Sequence, residues 1–440
     1  MIRPSRRRAV CASLGLAATI AACTDATTPT NLIAPSVPAA FASSSRGGQF
    51  EDFTPLPSSA ACVAPPATAA GFASYQPFLL PEGYKQTILA TEIGDFRPVA
   101  GLGADLPDMM VLNETGPQAG RYLYRTHEVG SNGAVTVTDL VTGGTSLVDQ
   151  QQHYEALDGI VWTPWHTLLF AEERIVATFR DPRVPNAVGG LVYEYDPSTG
   201  VSVPRPAVGA RSHEGLRFDA QGNLYGISES TPNQNGSGAI YKFVPDRRND
   251  LSSGQLYVLK VLSASRTGDA VWVPLDRQQS QVNSDAAAIA VGATGWGRPE
   301  DIEISTSSGS TKGGNVMYVT STSEDLVLRI ELNGDKAYVS NFVQDGVNIT
   351  GLNNPDNLAI DNQGNVYVSE DNGPGDIFIA RVKSGNERVA QDVALFASLS
   401  DCTGEPTGLY FDRNGKTAWV HIQHAGGALS NDLLVAITKE

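Results

Sequence analysis

The chain has 440 residues, 41% hydrophobic and only 18% charged, which excludes a disordered polyelectrolyte and supplies a large core. Its formal net charge of −16 repels phosphate backbones and argues against a nucleic-acid binder. A carboxylate surplus suits a protein that gathers divalent cations, although solubility alone also accounts for it.

The chain opens with Arg3, Arg6, Arg7 and Arg8, followed by an apolar stretch over residues 9–22. A basic head and a short apolar run form an export signal, too short for the ~20 residues that a spanning helix needs. The run ends in Ile20-Ala21-Ala22-Cys23, which looks like a bacterial lipobox. Residues 1–22 are therefore expected to be removed, leaving Cys23 lipidated and the protein anchored in the cell envelope. Residues 23–75 are rich in Thr, Ala, Ser and Pro and read as a flexible tether. With Cys11 leaving in the signal and Cys23 carrying lipid, Cys62 and Cys402 remain. In an oxidising compartment they are expected to pair, tying the start of the mature domain to its end.

From residue 76 to 440, short β-branched and aromatic runs alternate with Gly, Asn and Asp turns. The runs repeat. Residues 214–229 and 356–370 each read as a strand, a Gln-Gly-Asn turn and a second strand, the turn being Gln221-Gly222-Asn223 in one and Gln363-Gly364-Asn365 in the other. Gly and Asn accept the positive φ of a tight hairpin. Weaker copies start at Asp108, Asp158, Glu300 and Thr407. The spacing is roughly 50 to 56 residues, the length of a four-stranded propeller blade with generous loops. The longer interval from Glu214 to Glu300 carries an insertion over residues 263–297. The predicted fold is an all-β, six-bladed β-propeller over residues 76–440, read as a monomer.

Aligned on the residue before each first strand, the copies place Asp108, Asp158, Glu214, Glu300, Asp356 and Thr407 in register. First strands line a propeller's channel, so these side chains converge at one depth. Carboxylates gathered there repel one another and invite cations, and an all-oxygen donor set suits Ca²⁺ foremost. The second strands end in further acids: Glu128, Glu172-Glu173, Glu229 and Glu370-Asp371. The predicted metal ligands are Asp158, Glu214, Glu300, Asp356, Glu172 and Glu173. The six His show neither zinc-finger nor HExxH spacing.

Several motifs in order resemble the PhoX-type alkaline phosphatases, a family of exported bacterial propellers. They are Leu80-Pro81-Glu82-Gly83-Tyr84, Arg125-Thr126-His127-Glu128, Thr163-Pro164-Trp165 with Glu172-Glu173, Ser212-His213-Glu214-Gly215, Trp272-Val273-Pro274-Leu275, Arg298-Pro299-Glu300, Pro355-Asp356-Asn357-Leu358 and the segment from Val420 to His424. The resemblance implies hydrolysis of small phosphate esters at a calcium and iron cluster in the channel. It implies Glu214 and Glu300 as metal ligands, and Arg298 with Glu300 as the catalytic pair, the guanidinium fork holding the substrate phosphate.

One departure bears on the metal. The family places an iron-ligating Cys shortly before Thr-Pro-Trp, and here Asp158 stands in that stretch. A hard carboxylate in place of a soft thiolate favours calcium over iron. The alternatives are a calcium-dependent, lactonase-like propeller hydrolase, and a lipid-anchored binding or scaffold protein with a structural Ca²⁺.

Overall fold

The computed structural model describes residues 50–440 except 51, 102–105, 117, 175–176, 230–237, 306–315, 382–387, 413, 428 and 430. The export signal, Cys23 and most of the first half of the tether lie outside the described residues. No helix among the described residues is long and apolar enough to cross a membrane.

The described strands form antiparallel sheets whose first strands neighbour one another in a closed cycle. Pro107–Leu112 lies against Leu157–Trp162, which lies against His213–Phe218, followed by Ile302–Ser305, Pro355–Ile360 and Glu405–Phe411, and the last returns to Pro107–Leu112. A closed cycle of sheet edges around an axis is a propeller arrangement. The segments 107–150 and 157–204 each form a separate four-stranded sheet. The strands from His213–Phe218 to Lys336–Gln344 share one nine-stranded sheet. Its stitch is Gly268–Pro274, which pairs with Asp250–Val261 on one side and Lys336–Gln344 on the other. This strand and two short helices, Arg277–Val282 and Ser284–Ala290, make up the insertion read from the long interval.

The repeated turn owes its shape to one side chain. Asp219 Oδ1 accepts hydrogen bonds from the amides of Gln221 and Asn223, both at 2.9 Å, and Asp361 Oδ1 does the same for Gln363 and Asn365. The Gly at the turn's tip takes φ of 86° in one and 89° in the other, where a Cβ would be strained.

Closure comes from the chain's two ends. Tyr84–Thr91 pairs with Leu433–Lys439, so an N-terminal strand completes the C-terminal sheet as its outermost strand. The tether reading is corrected for its second half. Phe50 and Phe53 are buried against Tyr84 and Phe396. The Leu56 amide donates to Leu395 O, and that of Val63 to Ser400 O. Aromatic side chains scattered in a Pro- and Ser-rich stretch have no periodicity to betray burial, yet each removes apolar area from water. Cys62 and Cys402 are joined, with Cα atoms 5.4 Å apart across 340 residues of sequence.

A cross-link over so long a loop restricts the unfolded chain strongly, typically by about 2–4 kcal/mol. Replacing both Cys62 and Cys402 by Ala is expected to lower the unfolding free energy by that order, read from urea denaturation. An unchanged midpoint would show that strand closure alone carries the stability.

Candidate metal centre

In five of the six first strands the aligned residue sits at or beside a break in pairing. The ladder slips between Pro107 and Met110, Leu157 and Ile160, His213 and Leu216, Pro355 and Leu358, and Thr407 and Tyr410. Such a bulge re-aims a side chain out of the strand's normal alternation. Here it lies at Asp108, Asp158, Glu214 and Asp356, and beside Thr407 in the last sheet. Glu300 precedes its strand, Ile302–Ser305, by two residues and joins the same level. Glycine follows the acid where neighbouring strands come closest. A Cβ on Gly159 would lie 2.2 Å from Glu214 O, and one on Gly215 would lie 2.4 Å from Asp301 Oδ1.

Neutral donors hold the backbone of this ring. Thr126 Oγ1 donates to Asp158 O at 2.7 Å, and Thr320 Oγ1 to Asp356 O at 2.6 Å. The His421 ring meets Asp108 O. Each reaches from a second strand to the acid of the next sheet. Thr407 Oγ1 lies within hydrogen-bond reach of Asp108 Oδ1 and, at 2.6 Å, of Asn357 Oδ1. Asp301 spans to the neighbouring first strand, accepting from the Leu358 amide at 2.8 Å.

Asp108, Asp158, Glu214 and Glu300 are buried and Asp356 is half-buried. A second tier of acids from the ends of the second strands joins them. Burial first, and then the charge of Glu128, push Asp108 up to about 8. Burial also lifts Asp158, Glu214, Glu300 and Asp356 well above the carboxylate range, with neighbouring carboxylates adding to the effect. Asp158 lies beside Glu214, Glu173 beside Glu229, and Asp371 beside Glu405.

Oxygens of Glu173, Glu214 and Glu229 all lie within 4.8 Å of one another. Asp158 Oδ1 and Glu214 Oε1 are buried without a hydrogen-bond partner. Carboxylate oxygens that converge and lack donors fit a hard cation. Among the described residues, Arg298 is the guanidinium in ion-pair contact with the cluster, and His424 Nε2 lies 3.4 Å from Glu405 Oε1. Arg298 Nε donates to Glu229 Oε1 at 2.7 Å, and its Nη2 lies 2.7 Å from Glu300 Oε1, off the hydrogen-bonding direction.

The structure brings together Asp158, Glu214, Glu300, Asp356, Glu173 and Arg298 from the sequence-predicted set. It separates Glu172 from them. That carboxylate accepts from the Leu191 amide at 3.0 Å and the Glu155 amide at 3.3 Å, so it braces its own sheet. Consecutive residues leaving a strand point opposite ways, so Glu172 and Glu173 cannot serve one site. Glu370 repeats this, bonded to the Asn353 amide at 2.6 Å while Asp371 joins the cluster. Sequence reading passed over Glu405 and Asp301, which carry no sign of their own beyond lying one or two positions from an aligned residue. Two of the motif histidines are bonded to the scaffold, His127 to Thr136 Oγ1 at 2.8 Å and His213 to Gly209 O at 3.0 Å. A cavity of about 510 Å³, lined by Glu114, Trp162, Arg217, Glu303 and Tyr410, lies at the other ends of the first strands, away from the acids.

A ring of antiparallel sheets around one axis, with a mouth crowded with carboxylates, is a β-propeller arrangement. The chain belongs to the alkaline phosphatase PhoX family, whose model matches residues 107–334 and 325–426. It is accordingly a phosphoric ester hydrolase. No curated protein matches it. Among solved structures it is similar to PhoX of Pseudomonas fluorescens in complex with vanadate, a transition-state analogue. That likeness has 18% identity and a TM-score of 0.61 and covers 83% of this chain and 96% of that one. A glucose dehydrogenase matches at 10% identity and a TM-score of 0.44, covering 80% of this chain and 98% of that one. A likeness that low says nothing about chemistry.

The raised carboxyls make stability depend on pH. A carboxyl with a raised folded pKa binds its proton more tightly when folded. Its stabilisation is complete below the unfolded value near 4 and is lost as pH climbs through the folded value, about 8 for Asp108. Protein in EDTA is therefore expected to melt at a lower temperature at pH 8 than at pH 5, with added Ca²⁺ closing the gap. Equal melting temperatures at both pH values in EDTA would contradict the repulsion argued here.

Proposed function

We propose that this propeller holds Ca²⁺ at the first-strand mouth and hydrolyses phosphate esters there. The observation that carries the reading is the convergence of Glu173, Glu214 and Glu229 within 4.8 Å, beside buried, partnerless oxygens on Asp158 and Glu214. Asp158, Glu173, Glu214, Glu229, Glu300 and Asp356 would hold the ions. When bound, they would supply Lewis acidity, neutralising charge on the transferring phosphoryl group.

Arg298 would grip the phosphate. Its side chain is 35% exposed, donates to Glu229 and is ion-paired with Glu300. Cations taking those carboxylates would free the fork for phosphoryl oxygens, which match its geometry. The donor set also favours calcium over iron. The grouped donors are all carboxylates, Cys62 and Cys402 are paired with each other, and His127 and His213 are bonded to Thr136 Oγ1 and Gly209 O.

We count six blades, because His213–Phe218 and Ile302–Ser305 hold separate places in the ring although Gly268–Pro274 stitches their sheets together. Export by residues 1–22 and lipidation at Cys23 would place the enzyme in the cell envelope, where phosphate esters arrive from outside. No observation favours the lactonase reading.

Glu214→Gln and Glu300→Gln are each expected to lower phosphate monoester turnover by at least about 100-fold with folding intact. Turnover at the wild-type level in both would refute the assignment. Elemental analysis of purified protein should find calcium without stoichiometric iron, and iron at stoichiometric level would overturn the donor argument.

A further inference from the structure

Arg298 holds a backbone conformation that its side chain disfavours, with φ at 47°. Such a residue persists only where its surroundings over-determine it. The surroundings here are unusually complete. The Arg298 carbonyl accepts from the Thr322 amide at 2.9 Å. One residue earlier, Gly297 O accepts from Ser321 Oγ at 2.9 Å and from the Ser323 amide at 3.2 Å. The Gly297 amide donates to Glu324 Oε1 at 3.0 Å. Both backbone groups of Gly297 and the carbonyl of Arg298 are therefore pinned by residues 321–324.

Glu324 is itself held from the insertion. Arg266, at the tip of the hairpin between Asp250–Val261 and Gly268–Pro274, forms a two-pronged pair with it, Nη1 to Oε1 at 2.8 Å and Nη2 to Oε2 at 2.9 Å. Arg266 Nη1 also donates to Gly295 O at 3.1 Å. One guanidinium thus fixes the carboxylate that grips Gly297 and the chain two residues before it. Neither side chain forms a contact with the channel acids.

We propose that the Arg266–Glu324 pair is a positioning unit for Arg298, holding its guanidinium at the mouth of the acid cluster. The inference rests on the assignment of phosphate binding to Arg298. It gives the insertion a role: its hairpin reaches across to the neighbouring ring position and sets the aim of a residue there. A planar two-pronged pair fixes direction as well as distance, which a lysine at 266 would not do.

The test uses full-length, calcium-loaded protein with inorganic phosphate as the probe. Arg266→Ala and Glu324→Gln are each expected to raise the inhibition constant for phosphate, and KM for a phosphate monoester, by about tenfold, with kcat changed much less. Calcium affinity should stay at the wild-type value. Arg266→Lys should fall between wild type and Arg266→Ala. Added to Arg298→Ala, Arg266→Ala should have no further effect on the phosphate constant. Amide exchange over residues 295–299 should quicken in Arg266→Ala, a readout independent of activity. A wild-type phosphate constant in Arg266→Ala, where Arg298→Ala loses phosphate binding, overturns the positioning unit alone. A wild-type constant in Arg298→Ala overturns the assignment of Arg298, and this proposal with it.

Discussion

Repulsion among carboxylates in one confined mouth is the constraint on which the rest of the structure depends. Asp108, Asp158, Glu214 and Glu300 are buried, and Glu128, Glu173, Glu229, Asp371 and Glu405 crowd the same region. No hydrophobic term favours this arrangement, so the scaffold must enforce it. The enforcement is backbone-deep. Bulges aim the acids, glycines let strands approach, and Thr126, Thr320 and His421 grip the acids' carbonyls from the preceding sheet. Because each grip crosses between sheets, the ring and the site are one mechanical unit.

The same logic separates look-alike residues. Glu172 and Glu173 are adjacent, as are Glu370 and Asp371, yet only the second of each pair meets the cluster. The first is a brace, its carboxylate satisfied by amides of nearby loops. Buried acids of the two kinds share raised pKa values, and burial is the largest cause in both. Glu172 is pushed up to about 8 although it accepts two amide hydrogen bonds, and neighbouring carboxylates add to burial there as they do at Asp158 and Glu214. A perturbed acid is therefore no guide to function until its partners are known.

Membership of the alkaline phosphatase PhoX family supplies the reaction, and the donor set shapes how this chain would perform it. An oxygen-only cluster and a guanidinium at its rim suit a phosphoryl group, whose charge is spread over several oxygens. The insertion adds a layer peculiar to one part of the ring. It stitches two sheets into one and places Arg266 against Glu324.

The strands, their repeat, the turn chemistry and the in-register acids were legible in the sequence by itself, because each is local: alternation, an Asp-x-Gln-Gly-Asn turn and a fixed offset recur within a few residues. The pairing of Cys62 with Cys402 was legible by elimination. What only the tertiary structure decided depends on contacts between residues far apart. It packed Phe50 and Phe53 onto Tyr84 and Phe396, turning half of a supposed tether into core. It sorted Glu173 from Glu172 by the direction in which each leaves its strand. It brought Glu405 to Asp371, and Arg266 to Glu324, across gaps that no periodicity spans. Local geometry is written in neighbouring residues, but a site assembled from many strands exists only once the ring has closed.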